Sequence, residues 1–380
     1  MHSINNRYLK TFSDLGISGT FLKALEEMNI IIPTEIQEKA IPVLLGKATD
    51  FIGQAQTGTG KTAAFGLPIL QGINPGKPII QALILSPTRE LGQQIAKQLF
   101  KFTKYLPEKI FIESVYGGAN MDEQISALRR PTHIVVATPG RLVDLLERKA
   151  IDISFIRTLV LDEADEMLTM GFKKELDTIL KFTAGKRQTW LFSATMPQGI
   201  RSIISGYMSP QAVRFEVNRN EIVNRDIEHK YLVCSRLEKP EVLLQFLKSQ
   251  GNGRGLVFCR TKVEAQNVTK RIQAKKINAD ALHGDMFQKE RDKVMRAFKN
   301  GKLQILIATD LAARGIDVKE LAFVVHYQLP EKTEYYTHRS GRTGRAGNKG
   351  FSLSMVTPRE VEGIKAIEKE LGIKVKEISR

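Results

Sequence analysis

The chain has 380 residues, and its 57 lysines and arginines exceed its 41 aspartates and glutamates by a formal net charge of +16. A hydrophobic content of 42% with a mean hydropathy of −0.19 is typical of a globular chain. No apolar run approaches the ~20 residues that span a bilayer. We therefore do not expect a membrane protein, and the positive charge favours a polyanionic partner. The length suits two domains of roughly 200 and 150 residues.

The compartment is predicted from the amino terminus and the cysteines. Residues 1–14 lack the apolar core of a signal peptide. Cys234 and Cys259 are the only cysteines, and their spacing fits neither a metal site nor a disulfide framework. We expect a reducing, cytoplasmic setting.

The first informative motif is a glycine-rich loop at residues 55–62, which follows an apolar segment at 50–52 and precedes a helix-compatible run. Its glycines allow successive N–H groups to face phosphate oxygens, Lys61 can reach the β- and γ-phosphates, and Thr62 can ligate Mg²⁺. Ala55 stands where the phosphate-loop pattern has its first glycine. On this run alone, an ordinary loop remains the alternative. The candidate nucleotide-binding residues are Ala55, Gln56, Thr57, Gly58, Thr59, Gly60, Lys61 and Thr62.

Short β-branched, apolar runs then alternate with helix-length stretches throughout the chain. We predict strands at 82–86, 110–116, 133–138, 158–162 and 189–192, then at 230–234, 255–259, 281–283, 304–309, 323–327 and 351–356. Such alternation is typical of α/β domains with doubly wound parallel sheets. We predict domains at 1–210 and 229–380, with a linker at 211–228. After 358 we expect only a helical tail, and we find no internal repeat.

Two carboxylates follow the predicted strand at 158–162. Asp162 is placed to hold Mg²⁺ opposite Thr62, and Glu163 is placed to polarise an attacking water. Considered in isolation, both are equally compatible with solvated loop charges.

The run Asp162-Glu163-Ala164-Asp165 resembles the name motif of the DEAD-box RNA helicases. Residues 55–62 match that family's phosphate loop, including its initial alanine. The remaining motifs occur in the family's order: Pro87-Thr88-Arg89-Glu90-Leu91, Gly117-Gly118, Thr138-Pro139-Gly140-Arg141, Ser193-Ala194-Thr195, Val257-Phe258-Cys259-Arg260, Gln288-x-x-Arg291, Ala308-Thr309-Asp310, Arg314-Gly315-Ile316-Asp317 and His338 through Arg345. The resemblance implies two tandem RecA-like domains that use ATP and Mg²⁺.

The segment 10–38 resembles the family's adenine-reading region. Gln37 offers a donor and an acceptor that can pair with the edge of adenine. Phe12 occupies the family's upstream aromatic position. Asn29-Ile30 stands where the family usually has glycine and an aromatic, so we expect adenine affinity to be kept but weakened. Ordinary packing is the alternative for both Phe12 and Ile30.

The resemblance assigns further roles to residues near the ATP site. Arg342 and Arg345 would stabilise charge on the γ-phosphate from the second lobe, and Asp317 would lie near the ribose. His338 and Arg339 would meet the region of Asp165. Ser193 and Thr195 would couple hydrolysis to strand separation.

We predict a sequence-independent RNA surface built from loops beyond the strands. Its candidates are Pro87, Thr88, Arg89, Gly118, Thr138, Pro139, Gly140, Arg141, Arg260, Gln288, Arg291, Thr309 and Asp310. Asp310 is a candidate acceptor for a ribose 2′-OH. For Gln288 and Arg291, a solvated helix face is the alternative.

The expected function is an ATP-dependent RNA helicase acting on single strands or short duplexes, as a monomer. Two alternatives stay open: an ATP-dependent RNA clamp or remodeller without productive unwinding, and a DNA-directed motor of the same superfamily. Ribosome assembly, RNA decay and cold adaptation are all compatible pathways.

Overall fold

The computed structural model describes residues 10–46, 49–56, 58–183, 185, 187–217, 227–313, 321–344 and 349–379. The chain divides into two compact units, Met1–Val217 and Asn218–Arg380. Among the described residues, no helix combines the length and the apolar character needed to cross a bilayer.

The first unit alternates strands and helices along the chain. In order, its elements are α1 (Gly19–Glu27), α2 (Glu35–Leu45), β1 (Phe51–Gln54), α3 (Lys61–Gly72), β2 (Ala82–Leu85), α4 (Arg89–Phe102), β3 (Ile112–Val115), α5 (Met121–Leu128), β4 (Ile134–Ala137), α6 (Pro139–Glu147), β5 (Thr158–Leu161), α7 (Ala164–Thr169), α8 (Lys173–Phe182), β6 (Gln188–Ser193), α9 (Gln198–Tyr207) and β7 (Val213–Glu216).

The second unit has the same alternation. Its elements are β8 (Ile227–Val233), α10 (Lys239–Ser249), β9 (Gly255–Cys259), α11 (Lys262–Ala274), β10 (Ala279–Leu282), α12 (Gln288–Lys299), β11 (Ile305–Thr309), α13 (Asp310–Ala313), β12 (Phe323–His326), α14 (Thr333–Ser340), β13 (Gly350–Val356), a short 3-10 helix (Pro358–Glu360), α15 (Val361–Leu371) and β14 (Lys376–Glu377).

Each unit contains a seven-stranded sheet, and the two sheets share one topology. The orders are β3-β4-β2-β5-β6-β1-β7 and β10-β11-β9-β12-β13-β8-β14, so both read 3-4-2-5-6-1-7 when each unit is numbered from its own first strand. The strand pairs are parallel. The prediction of two doubly wound parallel sheets is confirmed. The shared order agrees with the two tandem RecA-like domains that the resemblance implies, although no internal sequence repeat accompanies it.

Apolar layers cover both faces of the first sheet. Phe192 on β6 packs with side chains from α1–α4, whereas its neighbour Leu191 packs on the other face with side chains from α6–α9. Alternate residues of one strand therefore serve opposite layers, which is why these strands read as continuous apolar runs. Trp190 on the same strand is 2% exposed, and its indole N–H donates to the Thr49 carbonyl at 3.3 Å.

Two edge strands differ from the sequence prediction. β7 pairs with β1 and belongs to the first sheet, although its residues fall inside the predicted linker at 211–228. β8 also begins inside that linker, at Ile227. The predicted helical tail contains α15, but it is followed by β14, which pairs with β8. Residues 218–226 lie outside the described part of the chain.

Candidate active site

The glycine-rich loop leads from β1 into α3 at the carboxyl edge of the first sheet. Gly58 and Gly60 have φ values of 86° and 91°, a left-handed conformation that favours glycine. Thr59 Oγ1 donates to the Gln56 carbonyl at 2.8 Å, which helps to hold the curl. Because Gly60 precedes the first residue of α3, the N-terminus of the helix lies at the loop, as phosphate binding requires. Thr57 lies outside the described residues.

Ala55 has a structural reason to be alanine. Its side chain is 3% exposed and belongs to the apolar cluster beside α3, and its N–H donates to the Ser193 carbonyl at 3.0 Å. The loop therefore begins in ordinary buried backbone, so its first position does not need a glycine.

Lys61 is buried at the start of α3, with 5% of its surface exposed. Its Nζ donates to the Ala55 carbonyl at 3.2 Å and lies 3.9 Å from Asp162 Oδ1. The ammonium group thus lies between the loop and the carboxyl end of β5. This position suits contact with a triphosphate held by the loop.

Gln37 connects the predicted adenine-reading segment to the phosphate loop. The side chain is 3% exposed, its Oε1 accepts from the Thr34 N–H at 2.9 Å, and its Nε2 donates to the Gly60 carbonyl at 3.0 Å. Thr34 Oγ1 donates to the Thr59 carbonyl at 2.7 Å. A Cβ on Gly60 would lie 2.4 Å from Gln37 Nε2. Adenine reading by Gln37, which stays a prediction, would require the amide to exchange these internal partners.

Phe12 and Ile30 are placed differently from the expected base contacts. Phe12 is 2% exposed and packs in the core of the first unit. Its ring therefore packs against the protein and is not exposed to stack on adenine. Ile30 is half-buried against the same cluster. Asn29 has a φ of 55°, which explains why glycine is usual there and why asparagine is tolerated. Next to Ile30, the side chains of Ile31 and Ile32 are exposed to solvent. These two residues were not identified from the sequence.

Asp162 directly follows β5 and is 3% exposed. Burial raises the pKa of this carboxyl to about 6, against the lowering effect of the Lys61 ammonium, and neighbouring Glu163 raises it further. A buried carboxylate that lies beside two other acids is stabilised by a bound cation. The Asp162 carboxylate and the Thr62 hydroxyl both offer oxygen ligands, which Mg²⁺ prefers. Asp162 and Thr62 therefore fit the predicted metal. The described residues contain no cluster of three or more acidic, cysteine or histidine ligands.

Glu163 occupies a strained position. It has a φ of 51°, is 7% exposed and precedes the first residue of α7. Its N–H donates to Asp162 Oδ1 at 3.0 Å. A left-handed, non-glycine residue of this kind is maintained by its surroundings and is characteristic of functional sites.

Hydrogen bonds connect the acidic motif to Ser193 and Thr195. Asp165 Oδ2 accepts from both the Thr195 N–H and Thr195 Oγ1, each at 2.8 Å. Ser193 Oγ accepts from the Asp165 N–H at 3.3 Å and donates to the Thr195 carbonyl at 2.7 Å. The predicted coupling residues are therefore in direct contact with α7, the helix that starts after Asp162 and Glu163.

Several predicted RNA contacts of the first unit occupy neighbouring strand ends. α4 begins after β2 and α6 begins after the adjacent β4, so two helix N-termini open at one edge of the sheet. Thr88 caps α4 by accepting from the Leu91 N–H at 3.3 Å. The Arg89 guanidinium lies 4.5 Å from the centre of the Tyr116 ring. The remaining members of this edge are Pro87, Gly118 with a φ of 81°, Thr138, and Pro139 and Gly140 in the first turn of α6.

Arg141 has hydrogen-bond partners within the first unit. It is 8% exposed, with Nη1 donating to Gln124 Oε1 at 2.9 Å and Nη2 to the Ala119 carbonyl at 3.1 Å. A guanidinium engaged in this way holds the loop after β3 in place. An RNA contact by Arg141, which stays a prediction, would require the guanidinium to exchange one of these partners.

Asp310 and Arg339 contact each other within the second unit. Arg339 is 1% exposed and forms a two-pronged ion pair with Asp310, with N–O distances of 2.5 and 2.6 Å. Its Nη1 donates to the Gln328 carbonyl at 2.7 Å. Arg339 therefore has partners within the second unit, and the coupling to the Asp165 region stays a prediction. Each Asp310 oxygen accepts one of these hydrogen bonds and the side chain is 24% exposed, so a 2′-OH contact stays a prediction.

The other RNA candidates of the second unit lie at its exposed edge. Arg260 Nη2 lies 2.9 Å from Glu331 Oε1, and the Arg260 side chain is 42% exposed. Gln288 Nε2 donates to Asp292 Oδ1 at 2.9 Å, and Arg291 Nη1 to the His283 carbonyl at 3.4 Å. Thr309 ends β11.

Arg342 follows α14, is 7% exposed and donates from Nε to the His338 carbonyl at 3.2 Å. A buried polar network anchors that helix: the Tyr336 hydroxyl lies 3.0 Å from His229 Nδ1, and Ser340 Oγ lies 3.1 Å from His326 Nε2. Burial lowers the pKa of His229 to about 4, and burial also holds the pKa of His326 well below its usual range. Asp317 and Arg345 lie outside the described residues.

A second buried lysine was missed by the sequence reasoning. Lys239 begins α10, which follows the first strand of the second sheet as Lys61 follows the first strand of the first sheet. It is 4% exposed, and its Nζ donates to the carbonyls of Tyr327 at 3.1 Å and Met355 at 2.7 Å. The loop before it contains no glycine, which removes the sequence signal that marks a phosphate loop.

Known proteins share both this fold and these motifs. The model of the DEAD/DEAH box helicase family matches residues 34–203, and that of the helicase conserved C-terminal domain matches residues 238–347. A solved structure of S. cerevisiae Dbp5 bound to RNA and ADP BeF3 is 32% identical, with a TM-score of 0.90 over 97% of this chain and 96% of that chain. Mss116p bound to ssRNA and AMP-PNP is 27% identical, with a TM-score of 0.89 over 99% of this chain and 80% of that chain.

Curated relatives agree with the structural comparison. The ATP-dependent RNA helicase CshA of Limosilactobacillus reuteri is 44% identical over 359 residues, which are 94% of this chain and 71% of the relative. The DEAD-box ATP-dependent RNA helicase CshA of Geobacillus kaustophilus is 41% identical over 362 residues, which are 95% of this chain and 76% of the relative. With two RecA-like units and the motif residues in place, the chain belongs to the DEAD-box family of ATP-dependent RNA helicases.

Proposed function

We propose that this protein is an ATP-dependent RNA helicase that binds RNA without reading its sequence, separates short duplexes locally and uses hydrolysis to release the RNA. The observation that carries the proposal is the bonded path from the hydrolytic carboxylates to Thr195. Asp162 and Glu163 lead directly into α7, where the carboxylate of Asp165 accepts two hydrogen bonds from Thr195. Chemistry at the triphosphate and the arrangement of the coupling motif are therefore linked through one helix turn.

The roles at the triphosphate follow from position and charge. The N–H groups at the start of α3 and the Lys61 ammonium bind the phosphates, and Glu163 polarises the attacking water. Mg²⁺ held through Asp162 and Thr62 would neutralise charge on the phosphate oxygens. Arg342 and Arg345 of the second unit are proposed to stabilise the transferring phosphoryl group, which rests on the family resemblance.

RNA binding is supported by the arrangement of donors and by the net charge of +16. Two helix N-termini, Arg89 and the glycine of the loop after β3 occupy neighbouring strand ends of the first sheet. Such groups contact phosphates and sugars and carry no base code, so the binding is expected to be sequence-independent. A monomeric state, a cytoplasmic location and a role in ribosome-assembly or RNA-decay complexes stay predictions.

A strand-displacement assay tests the proposal. ATP with saturating protein should separate an RNA duplex of roughly ten base pairs, and RNA should stimulate phosphate release more than DNA of the same sequence. Glu163→Gln should reduce turnover by about 10²–10⁴-fold, since it removes the base, and should keep ATP-dependent RNA binding.

The possible outcomes separate the alternatives. Hydrolysis with an intact duplex would favour the clamp, and equal stimulation by DNA would contradict the RNA assignment. If Glu163→Gln loses RNA binding as well, the carboxylate has a structural role.

A further inference from the structure

Phe287 is an exposed aromatic residue at the edge of the second unit. It closes the loop between β10 and α12, and 79% of its surface is exposed. It belongs to none of the hydrophobic clusters that the described residues of this unit form. The ring therefore lies outside the apolar core of the described part of the unit.

The same residue occupies a position that helices normally give to a hydrogen-bond acceptor. Phe287 is the N-cap of α12, where serine, threonine, aspartate or asparagine would accept from the first turn. Only the reciprocal half of a capping box is present, in which the Phe287 N–H donates to Glu290 Oε2 at 3.1 Å. Phenylalanine here supplies no cap acceptor to the helix and exposes an aromatic face to solvent.

The surroundings of Phe287 are those of a nucleic-acid surface. The next residue is Gln288, and Arg291 follows one turn later. The strands β10, β11 and β9 are neighbours in the second sheet. Phe287, Thr309 and Arg260 lie at or just after the carboxyl ends of these strands, so all three belong to the same edge of the sheet. Lys262 Nζ bonds Asp285 Oδ2 at 2.5 Å, which ties the start of α11 to this loop.

We propose that Phe287 stacks on an unpaired base of the bound RNA strand, beside the backbone contacts of α12. This inference rests on the proposed RNA-binding function. Bases stack on single aromatic rings within positively charged grooves, whatever their identity. Three charged residues, Lys289, Glu290 and Arg291, follow Phe287 within four positions. Phe287 is therefore a single apolar side chain next to charged residues. A protein interface usually presents a broader apolar patch, so this arrangement fits an RNA base better than a protein partner.

Replacing Phe287 by serine separates stacking from folding. Phe287→Ser should weaken binding of single-stranded RNA, measured with a non-hydrolysable ATP analogue, by about tenfold. Thermal stability should stay equal or rise, because serine supplies the missing cap acceptor. Phe287→Tyr keeps the ring and should bind RNA within about twofold of the unchanged protein.

An abasic strand supplies the decisive control. Scanning one abasic site along the RNA should reveal a position at which the difference between the unchanged protein and Phe287→Ser disappears. Phe182→Ser, which removes a 60% exposed phenylalanine from the first unit, should leave affinity unchanged. Equal binding by Phe287→Ser and the unchanged protein would overturn the stacking role alone. Failure of the unchanged protein to bind RNA would overturn the proposed function as well.

Discussion

Lys61 and Lys239 occupy the same topological position in two sheets of identical strand order, yet only Lys61 remains suited to binding a phosphate. Both begin the helix after the first strand of their unit, and both are at most 5% exposed. The Lys61 ammonium has one carbonyl partner and an acid at 3.9 Å. The Lys239 ammonium has two carbonyl partners and Glu360 at 3.5 Å.

The residues around the two lysines explain the difference. Asp162 directly follows β5, whereas Tyr327 directly follows the equivalent β12. The loop before Lys61 turns at Gly58 and Gly60, which both have a left-handed backbone conformation. The loop before Lys239, residues 234–238, contains no glycine. The fold therefore supplies a lysine at the same place twice, and the local partners decide whether it binds a ligand or the protein itself.

The largest effect is expected at Lys61. Lys61→Ala should lower ATP turnover by about 10²–10³-fold, since it removes a charge that stabilises the transition state. The free energy of unfolding should change less than when Lys239 is replaced, because among the described residues the Lys61 ammonium donates to one carbonyl and the Lys239 ammonium to two. Phosphate release and urea denaturation measure the two quantities. A large loss of stability with normal turnover would show that the two lysines are alike.

Lys239→Met should give the opposite result. It leaves the Tyr327 and Met355 carbonyls without their buried donor, which should destabilise the second unit by about 2–4 kcal/mol. ATP affinity should be unchanged, because this lysine is occupied by the protein. Hydrogen exchange of amides in β12 and β13 measures the loss. Weaker ATP binding by this variant would contradict the comparison.

Acid should weaken the second unit through its buried histidines. Because the pKa of His229 is lowered to about 4 in the folded protein, the unfolded chain binds more protons between pH 4 and about 6.5. Stability should therefore fall as the pH decreases through this window, by about 3 kcal/mol from this group at its lower end. Denaturation at several pH values tests this, and His229→Phe should flatten the slope.

The smallest effect is expected in the coupling contact. Thr195→Val removes the hydroxyl donor to Asp165 and leaves the backbone donor in place. Losing one charge-assisted hydrogen bond should reduce duplex separation by about tenfold. ATP turnover should stay within about threefold of the unchanged protein, because the carboxylates at the triphosphate are untouched. A parallel loss of both activities would show that the contact supports hydrolysis itself.

The sequence predicted the sheet class and the motif residues because both depend on short contiguous runs. It missed β7 and β14, whose residues are mostly exposed and which are stabilised by pairing with β1 and β8. The sequence did not predict the internal partners of Arg141 and Arg339, because Gln124 and Asp310 lie 17 and 29 residues away. A motif identifies a guanidinium, but long-range packing determines what it contacts.

The burial of Trp190 determines what intrinsic fluorescence can report about this protein. It is the only tryptophan of the chain, and it is buried on β6 of the first unit. A fluorescence transition in denaturant therefore follows the unfolding of that unit, and a chain of two units need not unfold in one step. Unfolding of the second unit will be seen only by probes placed there, such as amide exchange or a tryptophan introduced into β12.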